Sequence, residues 1–137
     1  MGYRMVWLDG SVTKMTLLQS DYPIKDEASC RSNAQYRFGQ RLLRFFGSEV
    51  ILEEFGIPHS GLSLDFFMPR FNVAFEIQGR QHYNFVPFMH GDRLSFGKQK
   101  ERDSNKAAWC HINEIRLICV RDCDVDKVDI IKKMDAA

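Results

Sequence analysis

Residues 62–83, LSLDFFMPRFNVAFEIQGRQHY, place charged side chains inside two runs that are otherwise apolar. Asp65 lies between Leu64 and Phe66, and Glu76 lies between Phe75 and Ile77. A carboxylate without a partner is costly to bury, so a fold built on these runs must give the acids something to hold. Met68-Pro69 ends the first run, and residues 73–78 return as a second strand. The two-residue strand period puts Phe71, Val73, Phe75 and Ile77 on one face and Ala74, Glu76 and Gln78 on the other. If the two runs pair as a hairpin, Asp65 lies beside Glu76 and Gln78. Two carboxylates and an amide at a strand edge, followed by Gly79 and His82, are oxygen-rich ligands of the kind a hard cation such as Mg²⁺ takes. Plainer readings stand beside this one. Asp65 can serve as a strand-end turn acid or pair with Arg70 or Arg80, and Glu76 can face solvent at a sheet edge.

With 137 residues the chain is long enough for one core and too short for two. It has no apolar run of transmembrane length and no signal-peptide h-region, so a cytoplasmic protein without a membrane partner is expected. Its four cysteines are then expected as thiols. The net charge of +1 decides nothing about nucleic acid. Its distribution says more: Arg93, Lys98, Lys100, Arg102 and Lys106 stand in one segment against Glu101 and Asp103. A basic segment near clustered acids suits an enzyme that holds a polyanion while chelating a metal. The competing reading is a solvated helix face.

Residues 1–30 read as an N-terminal hairpin and arm, with strands at 3–8 and 12–18 joined across Asp9-Gly10. Residues 20–29 read as a linker or arm, lying along DNA or packed on the body. Residues 31–137 form the main domain. A helix capped at Ser29 or Ser32 buries Ala34, Phe38, Leu42, Leu43, Phe45 and Phe46, leaves Arg31, Arg37, Arg41 and Arg44 outside, either reaching phosphates or, more commonly for helix arginines, solvated, and ends at Gly47. A strand at 50–52 ends in Glu53-Glu54, and a loop at 56–61 leads to the Asp65 hairpin. After an irregular stretch at 84–96, a second helix spans 97–111, with Ala107, Ala108, Trp109 and Cys110 inward and Asn113 as terminator. A buried strand at 115–120 and a helix at 125–134, capped by Asp124, complete the chain. The order helix, strand, hairpin, helix, strand, helix predicts an α/β fold with a mixed sheet flanked by helices.

His82 follows the second strand closely enough to face a bound ion, as general acid or base or as a phosphate ligand. His90 reads as a loop residue. Cys30, Cys110-His111, Cys119 and Cys123 lack a CxxC pair, so the spacing disfavours structural zinc. The chain has no Gly-rich phosphate loop, GxSxG elbow or HExxH helix.

The series Leu64-Asp65-Phe66, then Phe75-Glu76-x-Gln78-Gly79-x-Gln81-His82-Tyr83, resembles the PD-(D/E)XK nuclease superfamily. It is most similar to the very-short-patch-repair-like (Vsr-like, EDxHD) endonucleases, which phages often carry as homing enzymes. The resemblance continues through Phe88, Gly91, Phe96, Gln99, Arg102-Asp103, Lys106, Trp109-Cys110, Asn113, Ile115 and Leu117-Ile118. It covers residues 29–121 and implies a restriction-endonuclease-like core. It further implies a Mg²⁺-dependent DNA endonuclease, with Mn²⁺ as a substitute, acting on double-stranded DNA by nicking or, as a homodimer, by double-strand cleavage.

In that scheme Asp65, Glu76 and the Ile77 carbonyl hold the metal, while His82 and Asp103 match the HD of the pattern. Arg80, Arg93, Lys98, Lys100, Arg102 and Lys106 contact DNA. Gln78 occupies the usual lysine position. Glutamine neither accepts a proton nor brings charge, so base duty passes to His82 or to water at the ion. The first helix carries Gln35 where relatives often have a glutamate, which leaves Gln35, Glu53 and Glu54 as candidates for that place. A mismatch or junction nuclease of the same fold and a DNA-binding module without catalysis are the alternatives.

Overall fold

Asp9-Gly10 makes the first turn of the chain. Asp9 Oδ1 accepts hydrogen bonds from the Ser11 N–H (2.9 Å) and the Ser11 hydroxyl (2.7 Å), and Gly10 takes the left-handed φ of +90° that this reversal needs. The turn joins β1 (Gly2–Val6) to β2 (Val12–Thr16) as an antiparallel hairpin. The computed structural model describes residues 2–79 and 93–135, without the side chains of residues 93–97 and 99.

Beyond the hairpin the chain forms α1 (Asn33–Phe46), β3 (Leu52–Ile57), β4 (Leu62–Met68), β5 (Val73–Gln78), α2 (Arg93–Ile112), β6 (Arg116–Arg121) and α3 (Ile130–Asp135). The four strands lie side by side in the order β3-β4-β5-β6. The first three are antiparallel neighbours and β6 runs parallel to β5. A parallel pair needs a long crossover, and the stretch containing α2 supplies it. The protein is therefore a mixed α/β fold with a mixed sheet and helices, in the element order read from the sequence.

Each face of the sheet carries its own core. On one side α1 buries Phe38 and Leu42 against Phe66, Met68, Val73 and Phe75. A Cβ on Gly39 would meet the Phe66 ring at 3.2 Å, so a larger residue there would have to push the ring aside by a few tenths of an ångström. On the other side Leu52, Phe55, Leu64, Phe67 and Ala74 pack with Trp109 and Cys110 of α2 and with Met5, Trp7 and Leu17 from the N-terminal segment. Asn113, just past α2, ties the hairpin to this layer. Its Oδ1 accepts the Val6 N–H (2.7 Å), and its Nδ2 donates to the Val6 and Trp109 carbonyls (2.8 and 2.9 Å).

Several boundaries differ from the sequence reading. The strand read at 50–52 is β3, Leu52–Ile57; it continues through Glu53, Glu54 and Gly56, residues whose polarity and flexibility suggested an ending. Residues 20–29 take the packed alternative: the Glu53 N–H donates to the Tyr22 carbonyl (3.1 Å), and Ile24 covers the α1-side core. Ser32, not Ser29, caps α1, its Oγ accepting the Gln35 N–H. Leu43 and Phe45 of the expected stripe are exposed, as are Ala107 and Ala108 on α2. The second helix begins at Arg93 and the last at Ile130, after a short turn of 3₁₀ helix at Asp122–Asp124. Phe71 sits in the turn Pro69–Phe71 and is exposed, outside the strand alternation it was read into.

Candidate active site

The β4–β5 ladder pairs Met68 with Val73, Phe67 with Ala74 and Phe66 with Phe75, and then stops. Asp65 and Glu76 would form the next rung. Their side chains bridge the strands instead: the Asp65 N–H donates to Glu76 Oε2 (2.6 Å), and the Ile77 N–H donates to Asp65 Oδ2 (2.7 Å). Each carboxylate therefore satisfies a peptide N–H on the facing strand with one oxygen and keeps the other for the site. Glu76 Oε1 accepts from the Lys106 ammonium at 2.7 Å, and Asp65 Oδ1 lies 3.9 Å from an Arg31 guanidinium nitrogen.

The break has a local cause. In β3, Leu52 and Phe55 belong to the same core layer although they are three residues apart, and so do Leu64 and Phe67 in β4. Strict alternation would put such residues on opposite faces. Glu54 takes up the slip with a left-handed φ of +51°, and the β3–β4 register passes over Glu54 and Asp65. Asp65 thus leaves the ladder next to Glu76.

Both acids are buried, Asp65 7% and Glu76 8% exposed. Burial first, and then repulsion from Glu76, push the Asp65 carboxyl up to about 7, against the lowering effects of the Ile77 N–H, Lys106 and Arg31. The pair opens into a cavity of about 450 Å³ whose wall, among the described residues, carries Asp65, Glu76, Asp103, Asp122, Arg31 and Lys106. Two buried carboxylates that repel each other are an arrangement that a divalent cation would relieve. The donor set accordingly fits a hard metal at Asp65 and Glu76. Among the described residues no group of three His, Cys, Asp or Glu side chains converges on one point.

Of the other residues singled out in the sequence, Gln78 and Asp103 line this cavity, along with Ile77 and Gly79. Lys106, grouped above with the DNA-contacting cations, points inward onto Glu76. Lys98, Lys100 and Arg102 are exposed on α2. Arg80, His82 and His90 lie outside the described residues, as does the side chain of Arg93.

The three candidates for the missing glutamate separate cleanly. Glu53 is buried, with Oε1 taking the Lys25 N–H (2.7 Å) and Oε2 taking the Gln35 amide (2.8 Å) and the Cys30 thiol (3.3 Å). It ties the segment before α1 to β3. Glu54 pairs with Lys25 and, at 3.4 Å, with Arg31. Only Gln35 lines the cavity. Burial pushes the Cys30 and Cys110 thiols up to about 12, well away from the thiolate form.

Arg31 and Asp122 join the site without having been singled out for it. Among the described residues Asp65 pairs with Arg31, while Arg70 pairs with Glu49 at 2.8 Å; Arg80 lies outside them. Asp103 and Lys106 share a helix face by their spacing of three, a signal that was present in the sequence. For Arg31 there was none, because its approach to Asp65 depends on where the 20–32 segment docks.

Comparison with known proteins finds viral relatives. The "Uncharacterized protein 094L" of Frog virus 3 (isolate Goorha) is 37% identical over 95 residues, covering 69% of this chain and 59% of that protein. The "Uncharacterized protein 307L" of Invertebrate iridescent virus 6 is 35% identical over 57 residues, 42% of this chain and 29% of that protein. The "Uncharacterized protein 033L" of Invertebrate iridescent virus 3 is 36% identical over 62 residues, 45% and 32% of the two chains. The chain thus spans less than two thirds of each of these relatives. No family model matches it, and no solved structure matches it. Among the described residues no helix is long and apolar enough to cross a membrane.

Proposed function

We propose that the chain is a divalent-metal-dependent DNA endonuclease with a restriction-endonuclease-like core of the PD-(D/E)XK kind, Vsr-like in its pattern. One observation carries this reading: the Asp65 and Glu76 carboxylates meet at the point where β4 and β5 part, beside a lysine and facing a polar cavity. Asp65, Glu76 and the Ile77 carbonyl would hold Mg²⁺ or Mn²⁺. When bound, such an ion polarises a phosphoryl oxygen and makes water a stronger nucleophile at neutral pH.

The chain's own residues do the rest. The Asp65 and Glu76 carboxylates are fixed by peptide N–H groups, so they need no rearrangement to act. Lys106 brings into the cavity the positive charge that Gln78 lacks, from a helix instead of a strand, and stands ready to neutralise charge developing on the phosphate. Asp103, on the same face of α2, and His82 complete the EDxHD pattern, His82 as the candidate proton acceptor. The exposed Lys98, Lys100 and Arg102, with Arg80 and Arg93, would hold the backbone of double-stranded DNA.

Viral relatives suit a free-standing homing enzyme, and equally a mismatch or junction nuclease, acting in the host-cell cytoplasm. One chain carries one site and so nicks; cutting both strands calls for a homodimer. The competing reading is a DNA-binding module without hydrolysis. In its favour, Gln78 and Gln35, which both line the cavity, stand where a lysine and a glutamate are usual.

Supercoiled plasmid incubated with and without Mg²⁺ separates the two. Nicking that requires the metal supports the nuclease, whereas a gel shift without nicking supports the module.

A further inference from the structure

We propose that Arg31 grips the target phosphodiester at this site, an assignment that rests on the nuclease reading above. Arg31 stands one residue before the Ser32 cap, outside α1, so the helix does not dictate its direction. Its side chain crosses to the sheet, where the guanidinium lies 3.4 Å from Glu54 Oε1 and 3.9 Å from Asp65 Oδ1. Neither approach is a hydrogen bond, and among the described residues Arg31 makes none. A guanidinium carries five N–H donors in a fork that fits two oxygens of one phosphate. Among the described residues, therefore, Arg31 brings to the cavity rim donors that no hydrogen bond holds.

The neighbouring arginines are committed elsewhere. Arg37 bonds Asp126 and Asn33, and Arg41 donates to the Val125 carbonyl at 2.8 Å. Lys106 is held on Glu76 with its side chain only 14% exposed, whereas the Arg31 side chain is 60% exposed and has room to move. Arg31 is the exposed end of both pairs and neither approach is a hydrogen bond, so its guanidinium is free to turn from Glu54 and Asp65 to a phosphate.

The geometry also selects the ligand. Asp65 Oδ1 is the oxygen of Asp65 left over from the strand bridge, and Arg31 is its neighbour. An anion drawn to a cation on that oxygen arrives within reach of the guanidinium. A lone carboxylate wall would repel such an anion; a wall with a forked cation at its edge receives a group with two free oxygens on one phosphorus. Glu54, held in its left-handed conformation beside Asp65, is the parking place for Arg31 between substrates.

The test compares wild type, Arg31→Ala, Arg31→Gln and, as a control, Arg44→Gln in the last turn of α1. A labelled DNA duplex is titrated in Ca²⁺ over a salt series, Mn²⁺ binding is followed by electron paramagnetic resonance, and plasmid nicking is measured in Mg²⁺. Loss of one phosphate contact lowers the slope of log K against log salt by about 0.9. Both Arg31 variants should show that loss, with a raised KM and Mn²⁺ bound at least as tightly as in wild type; Arg44→Gln should keep the wild-type slope. Should Arg31→Ala fail to fold, Arg31→Gln carries the same expectation. A wild-type slope and wild-type nicking in a folded Arg31 variant overturns the proposal and leaves the nuclease reading intact. So does loss of Mn²⁺ binding in such a variant, which would make Arg31 a support for the acids. A wild-type protein that neither binds duplex nor nicks plasmid overturns both.

Discussion

The carboxylates of Asp65 and Glu76 complete a ladder that their own backbones leave open, each reaching a peptide N–H of the opposite strand. The bond that holds the strands together at this rung is also the bond that aims the acids. Their remaining oxygens face one cavity, with Lys106 on one and Arg31 near the other. Fold stability and site geometry thus share the same two side chains.

Catalysis is expected to depend steeply on both acids. Asp65→Asn and Glu76→Gln should each lower Mg²⁺-dependent nicking by about a hundredfold or more, the scale for removing one preorganised electrostatic group. Duplex binding in Ca²⁺ should change far less. Wild-type nicking in either variant would remove the acid from the mechanism.

The raised Asp65 pKa has a definite sign. Its folded value, about 7, lies above the ordinary 3.8, so the protonated form favours the folded state. Without metal, this contribution to stability is fully present below about pH 3.8 and is lost as pH rises through about 7. Thermal melts in a chelator should show wild type losing stability over that interval, relative to an Asp65→Asn variant that lacks the titration. Added Mn²⁺ should stabilise wild type more at pH 8 than at pH 6, because the metal competes with the proton. Parallel pH profiles for the two proteins would contradict the assignment.

Lys106 is expected to supply the charge that Gln78 does not. Lys106→Met should reduce nicking roughly a hundredfold, and Gln78→Lys in that background should restore part of it from the strand. The second outcome depends on Gln78 and Lys106 lining one cavity. A double variant no more active than Lys106→Met would show that a cation from the strand does not replace one from the helix.

Asn113 is a purely structural test. Asn113→Ala removes the partners of the Val6 N–H and carbonyl, while the Trp109 carbonyl keeps the N–H of residue 113; an unsatisfied buried group costs about 1–3 kcal/mol, and these two are part-buried. A fall in thermal stability is expected, with altered fluorescence from Trp7, which the hairpin holds near Trp109. An unchanged melting temperature would mean the clasp adds nothing.

The strands around the site were legible because their composition is unambiguous: Val73, Phe75 and Ile77 alternate with Ala74, Glu76 and Gln78, and the structure keeps that alternation in β5. The hairpin of β4 and β5 and the return of β6 followed from the same runs. What stayed hidden was the slip at Glu54 and Asp65, since a left-handed glutamate within a strand has no signature in sequence. The ends of β3 were obscured for the same reason, polar Glu53 and Glu54 being held there by Lys25, Gln35 and Arg31 from a distant segment. Residues 20–29 read as a possible arm because their anchoring is tertiary, through Tyr22 and Ile24. Lys106 was counted as basic surface because it stands in one basic segment with Lys98, Lys100 and Arg102.

Mn²⁺ binding measured by electron paramagnetic resonance is the most direct test of whether Asp65 and Glu76 hold one ion between them. A shared cation predicts one tightly bound Mn²⁺ per chain, lost in Asp65→Asn and in Glu76→Gln, and displaced by excess Mg²⁺. Undiminished Mn²⁺ binding in either folded variant would contradict it.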